Sequence, residues 1–150
     1  MTGATSGLGT HAIRHIAAQP GIRFMTGARG SGRTVPPGVE IIPLDLASLT
    51  SVREFADRVK KQFGDARIYI LILNAGMQNA SNDLRSADGY ELTFAVNHLA
   101  HYLLARLLMP RMADRGRLVI TTSETHDPAV TPIAPHLYAP SVLIGKITNS

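Results

Sequence analysis

A chain of 150 residues, 45% apolar and 17% charged, has the composition of one globular domain and the length to bury a core. It has no cysteine, which excludes disulfides and thiolate metal sites. No apolar run approaches the ~20 residues that cross a bilayer, and no apolar leader is visible, so the expected location is cytoplasmic. The net charge of +4 is scattered, with only Lys60 and Lys61 adjacent, so nucleic acid is not an indicated partner, whereas a small polyanion is.

The chain opens on a glycine-rich stretch, Thr2-Gly3 through Gly7 and Gly9, followed by Ala12, Ile13, Ile16 and Ala17 at helical spacing up to Pro20-Gly21. Ile22 to Gly27 reads as a short buried strand, Ala28 to Gly38 as a Gly/Pro-rich loop, and Val39 to Asp45 as a second strand. Ser51 with Glu54 predicts a capping box. It opens a helix whose apolar stripe is Leu49, Val52, Phe55, Ala56, Val59 and Phe63. Arg67 to Leu73 is nearly all apolar, as a strand buried on both faces should be. A long helix is expected from about Asp88 to Met109, and a last strand from Arg117 to Ser123. After His126 the sequence turns proline-rich and loses its period. Strands alternating with helices predict an α/β fold, a Rossmann-like doubly wound parallel sheet in a single partial dinucleotide-binding domain over residues 1–150.

Such a sheet binds ligands at the C-terminal ends of its strands, and the candidate residues cluster there. In the opening loop Gly3 allows a tight turn, Gly7 lets backbone approach a pyrophosphate, and Gly9 lets the following helix pack closely; the helix N-terminus then faces the phosphates. A flexible loop is an equal reading of three glycines alone, and this spacing is not the common Gly-x-Gly-x-x-Gly. After the next strand stands Arg29 with no carboxylate beside it, which fits a 2′-phosphate better than a free ribose; Arg33 could assist, and a solvated loop arginine is the alternative. Asp45-Leu46 could hold an adenine or serve as turn residues. Asn74-Ala75-Gly76 leaves room for a nicotinamide ribose or simply turns the chain. Ser123 could donate to a substrate oxygen. Asn97, on a mostly apolar helix, must bond backbone, order water or face a site. His11 with His15, and His98 with His101, share helical faces but lack the partners of a metal site, so packing or surface roles are expected. "TTSETH", ending at His126, is not a nucleophile elbow.

Taken in order, "TGATSGLG", "DL", "LNAG", "DGYELTFAVNHLAHYLL" and "RLVITTSETH" resemble the short-chain dehydrogenase/reductase family, most of all its retinol-dehydrogenase-like branch. The resemblance runs from Thr2 to about Pro128. It implies an NADP-linked enzyme (NAD is possible) that interconverts an alcohol and an aldehyde or ketone by hydride transfer. It assigns Thr2, Gly3, Ser6, Gly7, Leu8, Gly9, Arg29, Asp45, Leu46, Asn74, Ala75, Gly76 and Thr121 to the cofactor. Ser123 matches the family's substrate-orienting serine, and Asn97 the asparagine that holds a water in its proton relay. No metal is implied, and a complete chain could form homo-oligomers.

Two departures stand beside this likeness. The family's proton donor lies in Tyr-x-x-x-Lys, and none of Tyr69, Tyr90, Tyr102 and Tyr138 has a lysine four residues on; Lys146 is eight beyond Tyr138. No strand precedes Thr2. The expectation is therefore a chain cut at both ends, lacking its first strand and C-terminal elements. Such a chain would be marginal or aggregation-prone in isolation, and inactive or a binding remnant without its tyrosine and lysine.

Overall fold

The computed structural model describes residues 1–30, 34–79 and 83–123. Its elements follow the expected alternation: α1 (Gly7–Ala17), β1 (Phe24–Ala28), β2 (Val39–Pro43), α2 (Leu49–Phe63) and β3 (Ile68–Leu73). A continuous helical stretch comes next, made of α3 (Leu92–Phe94), a π-helical turn (Ala95–Leu99), α4 (Ala100–Leu108) and a 3-10 turn (Met109–Arg111), before β4 (Met112–Ile120).

All named strand pairs are parallel. Strand β1 pairs with β2 from Phe24↔Val39 to Ala28↔Pro43, and β3 pairs with β4 up to Leu73↔Ile120. Met1 and Thr2 join the two ribbons: Thr2 bridges Gly27, the Gly27 amide donates to the Met1 carbonyl at 3.0 Å, and the Thr2 amide donates to the Ile72 carbonyl at 2.9 Å. The spatial order is thus β2, β1, the Met1–Thr2 segment, β3, β4. Beside that segment, an apolar groove of about 440 Å³ separates β1 from β3, lined by Phe24, Met25, Leu71, Leu104 and Leu108.

Every residue of β1 is buried, and the pleat turns its neighbours to opposite faces. Phe24 packs with Ile13 of α1 on one side, while Met25 joins Val52, Phe55, Ala56 and Val59 of α2 and Leu104 and Leu108 of α4 on the other. This two-sided cover is what doubly wound sheets require. It does not extend to β3, where Tyr69 is 71% and Ile70 51% exposed. The expectation that this strand is buried on both faces is corrected: both residues line the groove between β1 and β3.

Element boundaries also differ, most of all at three elements. Helix α2 starts one turn before the expected capping box. Ser48 is its N-cap and accepts from the Ser51 amide, Asp88 accepts from the Leu49 amide at 2.8 Å, and the Ser51 hydroxyl is spent on the Asp45 amide. The long helix begins at Leu92 rather than near Asp88, because the Glu91 carboxylate caps the Thr93 and Phe94 amides at 2.7 and 2.6 Å. Strand β4 begins at Met112, five residues before Arg117, and ends at Ile120. An irregularity sets Ile68 against Met112 and Ile70 against Arg117, so residues 113–116 bulge out of the ladder.

Candidate cofactor site

The C-terminal ends of β1, β2, β3 and β4 converge with the N-terminus of α1 on a cavity of about 440 Å³, within the range of small-molecule sites. Thr2, Gly3, Ser6, Gly7, Leu8, Gly9, Arg29, Asp45, Leu46, Asn74, Ala75, Gly76 and Thr121 all line it. So do Thr5, Gly27, Ala28, Leu44, Met77 and Val96, which the sequence reading did not single out. Leu44 and Val96 adjoin expected residues, Asp45 and Asn97. Gly27 gives a subtler signal: a Cβ there would lie 2.8 Å from the Leu44 Cβ, so glycine is what lets β1 and the end of β2 close over the cavity.

The glycine loop is fitted to the end of β3. Gly3 has a φ of +66°, and a Cβ on it would meet the Ala75 Cα at 2.7 Å. Gly9, buried in the first turn of α1, packs against the backbone of Gly3 and the Asn74 amide group. Asn74 Nδ2 donates to the Gly3 carbonyl at 3.2 Å, and its Oδ1 accepts from the Thr121 hydroxyl at 3.1 Å. One side chain therefore connects the loop, β3 and β4. Around Gly7 the space is open, with no atom within 4 Å of where a Cβ would stand, and Leu8 is 79% exposed at the lip.

The electrostatics suit an anion. Helix α1 has no acidic residue in its first turn, and no side chain caps its leading amides, so these donors and the positive end of the helix dipole face the cavity. Arg29 stands on the wall after β1. Asp45 lines the opposite part and also accepts from the Ala47 amide at 3.0 Å, so it serves the turn and the cavity together. Among the described residues, no group of histidine and carboxylate side chains could hold a metal ion, and no helix is long and apolar enough to cross a membrane.

The two residues expected at the chemical step lie apart from the cavity lining. Asn97 sits in the π-helical turn, where its Oδ1 accepts from the Met77 amide and its Nδ2 donates to the Met77 carbonyl, each at 2.8 Å. Its amide side chain thus fixes the loop after β3, the backbone-bonded outcome among those expected. Ser123 lies exposed, three residues beyond β4. Arg33, His126, Tyr138 and Lys146 lie outside the described residues.

The family model for short chain dehydrogenases matches residues 1–135. The chain belongs to the short-chain dehydrogenase family. It is 35% identical over 138 residues to retinol dehydrogenase 13 of Homo sapiens, an alignment covering 84% of this chain and 41% of that protein. It is 34% identical over 142 residues to polyprenol dehydrogenase of Danio rerio, covering 84% of this chain and 43% of the relative. Among solved structures, a short chain dehydrogenase from Burkholderia cenocepacia J2315 in complex with NADP superposes with a TM-score of 0.69 at 28% identity, over 97% of this chain and 63% of that one. The chain spans less than half the length of these curated relatives. The Rossmann-type α/β architecture expected from the alternation of elements is that of the family.

His101 is a residue whose place in the site sequence reasoning did not foresee. It is 6% exposed on α4, with Nε2 at 3.0 Å from the Thr2 hydroxyl and Nδ1 at 3.1 Å from the Asn97 carbonyl. Burial lowers its pKa below the usual 6.5, and His98 adds to this, against a raising contribution from the Asn97 carbonyl. With a folded-state pKa below the unfolded one, its contribution to stability is fully present above pH 6.5 and is lost as pH falls through the lowered value. Thermal melts at pH 7.5 and pH 5.5 should show lower stability at the acidic value, by a margin that shrinks in His101→Gln; an unchanged margin contradicts this assignment.

Proposed function

We propose that this chain forms the NADP-gripping part of a short-chain dehydrogenase/reductase, and that the whole enzyme interconverts an alcohol and an aldehyde or ketone. One observation carries the reading: every residue that the family resemblance assigns to the cofactor lines the same cavity, on four strand ends and one helix N-terminus. The donor set fits the group. Uncapped amides of α1 would take the pyrophosphate, Arg29 the 2′-phosphate, and Asp45 with Leu46 the adenine. The small Asn74-Ala75-Gly76 turn leaves space for the nicotinamide ribose; the nearest atom to a Cβ on Gly76 would be Asn97 Oδ1 at 3.8 Å.

NADP, when bound, supplies or accepts the hydride. These residues bind and orient it, and Ser123 would hydrogen-bond the substrate oxygen. General acid–base chemistry also needs a titratable donor within hydrogen-bond reach of that oxygen, and no tyrosine here has a lysine four residues on. Binding, rather than turnover, is therefore the activity expected of these 150 residues alone. Titration should show saturable NADPH binding and none of S-adenosylmethionine; the reverse would mark a different class of nucleotide binder.

Cofactor choice rests on Arg29. Arg29→Asp replaces a charge-assisted donor by a repelling carboxylate, and the NADPH-over-NADH preference should fall by ~10-fold or more. Paired titrations with the two cofactors read this directly, and an unchanged preference removes Arg29 from the site.

A further inference from the structure

The hydroxyl of Thr2 is placed between three polar atoms and has only enough capacity for one arrangement of them. Its oxygen lies 3.0 Å from the Asn74 amide nitrogen, 3.1 Å from the Ala75 amide nitrogen and 3.0 Å from His101 Nε2. Both amides can only donate, and a hydroxyl has two lone pairs and a single proton. The oxygen therefore accepts from both amides, and its proton goes to Nε2, which must be the unprotonated ring nitrogen. Nδ1 then carries the ring proton and donates it to the Asn97 carbonyl, 3.1 Å away. Each polar atom of this buried group has a partner only if His101 is neutral and in this tautomer.

We infer that His101 is a positioning residue of the cofactor site: by accepting the Thr2 proton it fixes that hydroxyl so that it grips the Asn74-Ala75 turn and ties the turn, through Thr2, to α4, while its own ring is held by the Asn97 carbonyl one turn earlier in the same helical stretch. Thr2, Asn74 and Ala75 line the cavity, whereas His101 does not, so it acts through them. A histidine that merely filled space would be replaceable by any side chain of similar volume. One that sets the Thr2 rotor is replaceable only by a side chain that presents an acceptor at the same place. Glutamine can place its Oε1 near the position of Nε2. Asparagine, one carbon shorter, reaches only the Asn97 side.

The inference rests on the cavity being the NADP site, but its first test does not. In the ligand-free 150-residue chain, hydrogen exchange at the Asn74 and Ala75 amides is compared with exchange at Val52 and Ala56 of α2. His101→Asn should speed the first pair by ~10-fold relative to the second, while His101→Gln stays within ~3-fold of the parent, as the loss or retention of one buried hydrogen bond dictates. Equal exchange in both variants and the parent overturns the inference. If His101→Asn does not fold, His101→Gln decides alone: exchange near the parent's supports the acceptor role, and a ~10-fold rise overturns it. NADPH affinity should follow the same order, ~10-fold weaker in His101→Asn and within ~3-fold in His101→Gln. Failure of the parent chain to bind NADPH would remove the functional reading and leave the exchange comparison intact.

Discussion

Gly9→Ala should abolish measurable NADPH binding and cost about 2–4 kcal/mol of stability, although alanine is the better helix former. The added methyl would lie 2.8 Å from the Gly3 carbonyl carbon, closer still to its oxygen, and 2.9 Å from Asn74 Nδ2. Two of these atoms are backbone, so they cannot rotate away as the tip of a long side chain would. Helix α1 must move off the loop or the loop off β3. The first movement turns the leading amides of α1 away from the cavity, and the second breaks the bond from Asn74 Nδ2 to the Gly3 carbonyl. A denaturant melt with a cofactor titration checks both effects. Parent-like affinity in Gly9→Ala would mean that the close packing of loop and helix does not shape the site.

Thr2→Val is expected to cost as much stability for a different reason. Valine has the volume of threonine, so the 1%-exposed position stays filled, yet the Asn74 and Ala75 amides lose their acceptor. A buried donor left unsatisfied costs ~1–3 kcal/mol, which puts the substitution at roughly 2–5 kcal/mol against a total of ~5–15. Thr2→Ser retains the hydroxyl and should lie within ~1 kcal/mol of the parent, the loss of one methyl. Chemical denaturation of the two variants side by side separates the hydroxyl from the shape. Equal stability of Thr2→Val and Thr2→Ser would contradict the network.

The parts of the site legible in the sequence are those set by local backbone requirements. A glycine loop that opens a helix, and short polar turns closing apolar strands, announce themselves within a few residues. For that reason Gly3, Gly7, Gly9, Arg29, Asp45 and Asn74, all of which line the cavity, stand out in the sequence alone. The burial of β1 is likewise legible, as the short buried strand expected from Ile22 to Gly27. Where the reading failed, the deciding partner was distant. Ser51 looks like a helix cap until its hydroxyl is seen to serve Asp45, while the cap of α2 is Ser48, helped by Asp88 from far along the chain. An apolar β3 implies burial on both faces, but Tyr69 and Ile70 face the groove beside β1.

His101 is the clearest case. Beside His98 it reads as a packing residue, and nothing local distinguishes the two. The structure does: His98 stacks between Phe94 and Tyr102, with ring centroids 5.3 and 6.5 Å away, whereas His101 turns inward to a hydroxyl 99 residues earlier in the chain. Similarly, the sequence shows Asn97 as an amide needing partners, but only the fold identifies Met77 as the residue that supplies them.

The measurement that bears most directly on the whole account is a residue-resolved NMR titration of the isotopically labelled chain with NADPH. The account predicts saturable shifts at the amides of Gly3, Gly7, Gly9, Asn74 and Gly76, with Arg29 and Asp45 moving in the same titration. No shifts at millimolar NADPH, or shifts confined to Ile22, Tyr69 and Ile70 along the groove between β1 and β3, would contradict it.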